Sequence, residues 1–204
     1  LLVRTALLLF LAALLLFTMT MARLLFRSYG RGTRAVSQQT LAQQLGAILS
    51  DPDLRGACWA DLVAMAIIGF FNFFVVVIAV AELGLGPERA SALVSVHGLA
   101  YVLVLFSAGS LASRLGQRAS YALSAVTMAL GLLSLGSGAS MLSMTFGSLV
   151  LGCGVGLLHV VNMLRLARIG ARLGRGKIAG LNALTGPGGA ISGSALGGFL
   201  GRQF

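Results

Sequence analysis

One apolar run after another, each about the length of a bilayer crossing, with most of the charge gathered in the breaks between them, is the feature that most limits what this chain can fold into. A helix needs about 20 apolar residues to cross the hydrocarbon core of a membrane. About six runs approach or exceed that length: residues 1–26, 57–83, 91–111, 119–136, 142–164 and 178–200. In hydrocarbon, backbone N–H and C=O groups must be satisfied within their own segment, so isolated strands are excluded and helices are expected. The fold class read from this pattern is an all-α, polytopic membrane helix bundle with about six transmembrane helices. Composition agrees, since 57% of the 204 residues are hydrophobic and only 10% charged, against roughly a quarter charged in soluble domains.

The formal net charge of +10 raises the question of nucleic-acid binding. Phosphate-binding basic residues cluster on a solvated face with aromatics interleaved. Here the arginines sit in short breaks between apolar runs, so no nucleic-acid partner is inferred. The partner that composition does imply is the lipid bilayer. Cys58 and Cys153 lie in or beside different runs without a CxxC or a spaced histidine, so neither a disulfide framework nor a metal site is expected. The first run is too long for a signal peptide and no small-residue cleavage site follows it, so it is read as a spanning helix. The start at Leu1 rather than Met is read as the mark of a fragment or a processed product.

Only one connection is long. Residues 27–56 carry Arg27, Arg31 and Arg34, a polar run from Ser37 to Gln44, and then Asp51-Pro52-Asp53. Leu41, Leu45, Ile48 and Leu49 recur at helical spacing, which predicts a short amphipathic helix at the interface. The Asp-Pro pair is read as its stop. With this loop placed in the cytoplasm, the basic residues divide 12 to 3 in favour of the inner side, and every loop agrees. That is the positive-inside bias of a multi-pass protein of the cytoplasmic (inner) membrane.

The connection after residues 91–111 reads Gly109-Ser110-Leu111-Ala112-Ser113-Arg114-Leu115-Gly116-Gln117-Arg118. A tight turn between two helices, with glycines allowing close approach and arginines facing acids or helix carbonyl ends, is what such a sequence suits. It resembles the cytoplasmic-loop signature of the major facilitator superfamily at Gly109, Leu111, Ala112, Arg114, Gly116 and Arg118. Ser113 stands where that family usually has Asp, and Gln117 where it has a basic residue. The order of segments is similar as well. The resemblance makes residues 1–26 the sixth family helix, 27–56 the central linker between halves, and 57–204 a five-helix bundle, helices seven to eleven. It implies most of the C-terminal half of a secondary transporter working by alternating access, with the N-terminal half of the same protein as its partner. A small-molecule substrate and protons as coupling ion come with that implication.

The last run carries Gly186-Pro187-Gly188-Gly189, similar to part of the Gly-Pro motif of family antiporters but without the two residues between Pro and the Gly pair, so no antiport mechanism follows. Gly189, Gly193, Gly197 and Gly201 recur every fourth residue and predict a groove for a neighbouring helix. Pro187 frees the carbonyl of Ala183 and permits a bend. Packing and gating both account for this pattern.

Polar residues inside spans are costly and are therefore site candidates. Asn72 between Phe71 and Phe73 is read as a substrate contact, or else an interhelical hydrogen bond. His97 is read as a proton carrier, or else a neutral, hydrogen-bonded core histidine. His159, Asn162 and Arg165 share one helical face, lining an inner cavity or entering the headgroups. Asn182 and Thr185 form a similar pair. Asp61 is placed one turn inside its span, with Arg55 or a loop arginine as its expected partner, and no deep acidic residue is expected. Nucleophile elbows, paired carboxylates and phosphate loops are missing from the sequence. The chain is accordingly expected not to be an enzyme and to need no cofactor. The alternative reading is a non-transporting membrane scaffold or assembly subunit whose glycine face meets a partner.

Overall fold

Helix starts in this chain are written by capping residues. Asp51 accepts hydrogen bonds at Oδ1 from the backbone N–H of Asp53 (2.9 Å) and Leu54 (3.1 Å), and Pro52 follows it directly. That is an N-cap with proline in the first helical position. Pro87 does the same after Gly86, and Ser140 with Ser143 forms a reciprocal capping box. The computed structural model describes residues 50–81, 83–137 and 140–200, together with Gln43 and Gly46. Among them the regular elements are all helices: α1 (Pro52–Ala81), α2 (Pro87–Gly136), α3 (Met141–Leu173) and α4 (Arg175–Leu200). Of these, α1, α2 and α3 are long and apolar enough to cross a membrane. The helix α4, diluted by glycine and serine and opening on Arg175 and Lys177, is not among them.

Four helices stand where five of the six expected runs fall. The run 1–26 and nearly all of the linker 27–49 lie outside the described residues, although Gln43, Gly46 and Ser50 are helical. The runs 91–111 and 119–136 are joined in α2, which breaks only at Gly116 (φ 75°, ψ 167°). That positive φ is a conformation a side chain disfavours.

Contacts show what the break does. Along the first arm of α2, His97 and Ala100 meet Gly152 of α3, Tyr101 and Val104 meet Gly156, and Ala108 and Ala112 pack with Leu157 and Val161. Numbers rise together, so this arm is parallel to α3. Along the second arm, Leu135 meets Gly147, Met128 meets Gly154, and Tyr121 bonds Asn162. Numbers now run oppositely. Gly116 therefore turns α2 back on itself as a helical hairpin.

The same test orders the other helices. Asp51, Asp53 and Ala57 of α1 pair with Arg172, Arg165 and Asn162 of α3, so these two are antiparallel. Asp61, Ala66 and Phe70 of α1 meet Thr185, Gly193 and Gly197 of α4, so these two are parallel. Each successive segment reverses direction. One end of the bundle consequently gathers Arg55, Arg114, Arg118, Arg165, Arg168, Arg172, Arg175 and Lys177, whereas Arg89 and Glu88 stand at the other.

Helix α3 sits at the centre, with more of its apolar length buried than α1 or α2. Phe71, Leu93, Met144, Leu151 and Val155 fill the core around it. The outside is apolar too. Trp59, Phe106, Leu133, Ile191 and Phe199 are all exposed, an outer surface suited to lipid.

Glycine spacing in α4 has its expected effect. Gly189 lies against Leu62 and Met65, Gly193 against Ala66, and Gly197 against Phe70 and Phe73. At Gly193 an added Cβ would overlap the Ala66 carbonyl, so only glycine permits this approach. Gly186 differs from the expectation: nothing approaches its Cβ position, and it takes no part in the groove. Gly201 lies outside the described residues. The helix continues through Pro187.

Candidate functional site

The third turns of α1 and α4 bring two polar residues together inside the bundle. Asp61, nine residues into α1, is 1% exposed, and Thr185 of α4 donates from Oγ1 to its Oδ2 at 2.6 Å. At a helical rise of about 1.5 Å per residue, Asp61 stands about 13 Å inside the helix. Its other oxygen, Oδ1, is buried without a hydrogen-bond partner among the described residues. This corrects two expectations. Asp61 is a deep acidic residue, and its partner is a hydroxyl rather than an arginine. Arg165 and Arg172 are taken by Asp53 (3.1 Å) and Asp51 (2.8 Å) at the helix end.

Two further titratable side chains come from other helices. His159 of α3 and Tyr101 of α2 pack edge to face with ring centroids 5.9 Å apart, and both lie within electrostatic range of the carboxylate. His159 Nδ1 is buried and unpaired. An acid with one spare oxygen thus shares the interior with an imidazole carrying one spare nitrogen. Such a set can take up a proton or a small cation, because an isolated charge in low dielectric attracts whatever neutralises it. Among the described residues no group of three or more His, Cys, Asp or Glu is placed to hold a metal.

The other expected site residues separate. Asn162 is 1% exposed; its Oδ1 accepts from the Tyr121 hydroxyl (3.0 Å) and its Nδ2 donates to the Ala57 carbonyl (3.1 Å). It ties three helices. His97 is buried and stacked on Phe71 with centroids 4.3 Å apart. Among the described residues neither ring nitrogen makes a hydrogen bond of good geometry. Asn72 is exposed on α1 and is not part of the interhelical packing. Asn182 is half-buried on a cavity of about 370 Å³ between the C-terminal part of α3 and the N-terminal part of α4, with its Oδ1 unpaired among the described residues.

In the loop signature, Ala112 is buried, Leu111, Arg114 and Arg118 are exposed, and Gly116 makes the turn. Gly109 has open space around it and brings no helix close.

Tyr101 and Tyr121 were not singled out by sequence reasoning. Tyr101 carries a signal in hindsight, since it stands four residues after His97 on the same face.

The chain matches no family model, no curated protein and no solved structure. Its function rests on its own residues.

Proposed function

We propose that this chain forms most of the C-terminal half of a secondary active transporter, a multi-pass protein of the cytoplasmic membrane that moves a small solute by alternating access. In this reading the spans number about six, with residues 1–26 as the first and the arms of α2 counted separately. The arginine-rich end faces the cytoplasm. The second half of the cavity wall comes from the N-terminal half of the same protein. The resemblance of residues 109–118 to the major facilitator signature supports the family, and the strict reversal of successive segments supports the topology.

The observation that carries the reading is the buried Asp61–Thr185 pair. An ionisable group inside an apolar bundle is costly and is kept where ions or substrates are handled. Asp61 with His159 and Tyr101 then supplies the proton-handling set, and Asn72 and Asn182 are the groups left for solute contact. The scaffold alternative needs the glycine face of α4 as a partner surface, and α1 already fills that face.

The test is proton movement in proteoliposomes holding the full-length protein and an internal pH-sensitive dye, challenged with a panel of small solutes. A solute that changes internal pH with the wild type and not with Asp61→Asn supports the proposal. Equal responses from both proteins would remove Asp61 from the mechanism.

A further inference from the structure

Arg165, Arg168 and Arg172 recur at intervals of three and four on α3 and form one stripe. With Asp53, Gln117 and Ile169 they line a cleft of about 230 Å³ at the basic end of the bundle. Two of the three charges are met inside the chain, Arg165 by Asp53 and Arg172 by Asp51. Arg168 is exposed, and its Nε donates to the carbonyl of Leu164 in its own helix at 3.3 Å. Among the described residues Arg168 has no acidic partner.

Among the described residues no acidic side chain is left to neutralise that guanidinium. Its whole sequence holds five acidic side chains. Asp51 and Asp53 are engaged, and Asp61 is buried against Thr185. Glu88 stands in the first turn of α2, at the opposite end. Arg114, Arg118, Arg175 and Lys177 add further positive charge at the same end of the bundle. The negative pole at the end of α3 favours basic residues there, but it does not supply the oxygens that a planar guanidinium fork binds in pairs. One turn before Arg168, on the same side of α3, Leu164 is exposed and apolar.

We infer that this cleft binds the phosphate of an anionic phospholipid, with Arg168 as its principal contact and an acyl chain running over Leu164. The inference rests on the membrane reading above. Basic pockets at the cytoplasmic face of a bilayer are where anionic headgroups are concentrated.

The experiment titrates the full chain, purified in a mild detergent, with phosphatidylglycerol, phosphatidylcholine or inorganic phosphate, and follows the melting temperature. Arg168→Gln is the test variant, since the one hydrogen bond that Arg168 makes among the described residues is within its own helix. Expected is a saturable rise with phosphatidylglycerol, none with phosphatidylcholine, and an increase of about tenfold in the half-saturating concentration for Arg168→Gln, the loss of one charge-assisted contact. An identical phosphatidylglycerol response in the variant, or none in the wild type, overturns the site. Stabilisation by inorganic phosphate with the same Arg168 dependence overturns the lipid as source and assigns a soluble phosphate instead. A protein that stays in solution without detergent contradicts the membrane reading itself; one that needs detergent yet ignores phosphatidylglycerol contradicts only the cleft.

Discussion

The Thr185 hydroxyl of α4 reaches the Asp61 carboxylate of α1 at 2.6 Å, in a layer where Asp61 is 1% exposed. The same two helices are drawn together by Gly189, Gly193 and Gly197. Polar contact and close packing therefore join one helix pair.

Thr185→Val keeps the shape of the side chain and removes the donor. It is expected to destabilise the bundle by about 1–3 kcal/mol, the cost of leaving a buried acceptor unpaired. Thermal unfolding in detergent measures it; an unchanged melting temperature would mean that the pair contributes nothing.

Gly193→Val drives a side chain into the Ala66 backbone. Overpacking of this kind costs about 1–3 kcal/mol. Gly188→Ala is the control, because nothing lies near its Cβ position. Equal melting temperatures for the two variants would show that α4 does not rest against α1 at Gly193.

Gly116→Ala places a side chain at φ 75°. The expected cost is about 1–3 kcal/mol, read as a lower melting temperature. Gly109→Ala, in open space within a helix, should be neutral or slightly stabilising. The reverse ranking would contradict the hairpin.

Asp51, outside the spanning segments, has its carboxyl held below the ordinary 3.8, first by the Leu54 N–H and then by the Asp53 N–H, Arg172 and Arg165. A depressed folded value means that its stabilisation is present above 3.8 and is lost as the pH falls through that lower value. Melting temperature followed from pH 7 downward should fall in acid more steeply for the wild type than for Asp51→Asn. Parallel curves would show that the cap carries no charge-dependent stability.

Much of the bundle was legible in sequence because its signals are local. Apolar length placed the helices, the Gly116 neighbourhood announced a turn, and four-residue glycine spacing announced a groove for a neighbouring helix, though not that the neighbour is α1. The Asp-Pro-Asp run misled in one respect: read as a stop, it hid Asp51 as the cap of the next helix. Starting α1 at Pro52 rather than at residue 57 moves Asp61 from one turn inside to nine residues inside. Asn162 needed its partners Tyr121 and Ala57, far away in sequence, before its role as a tie was visible. Asn72 sits in a helix apolar all round, where periodicity cannot tell which way a residue faces.

The central claim is that successive segments cross the membrane in opposite directions with the arginine-rich end inside. Ser113 and Ser137 are both exposed, at opposite ends of the bundle. Each is changed singly to cysteine in a chain lacking Cys58 and Cys153, and intact cells are treated with a membrane-impermeant maleimide. Ser137→Cys should label at once and Ser113→Cys only after permeabilisation. Labelling of both in intact cells, or of Ser113→Cys alone, would contradict the account.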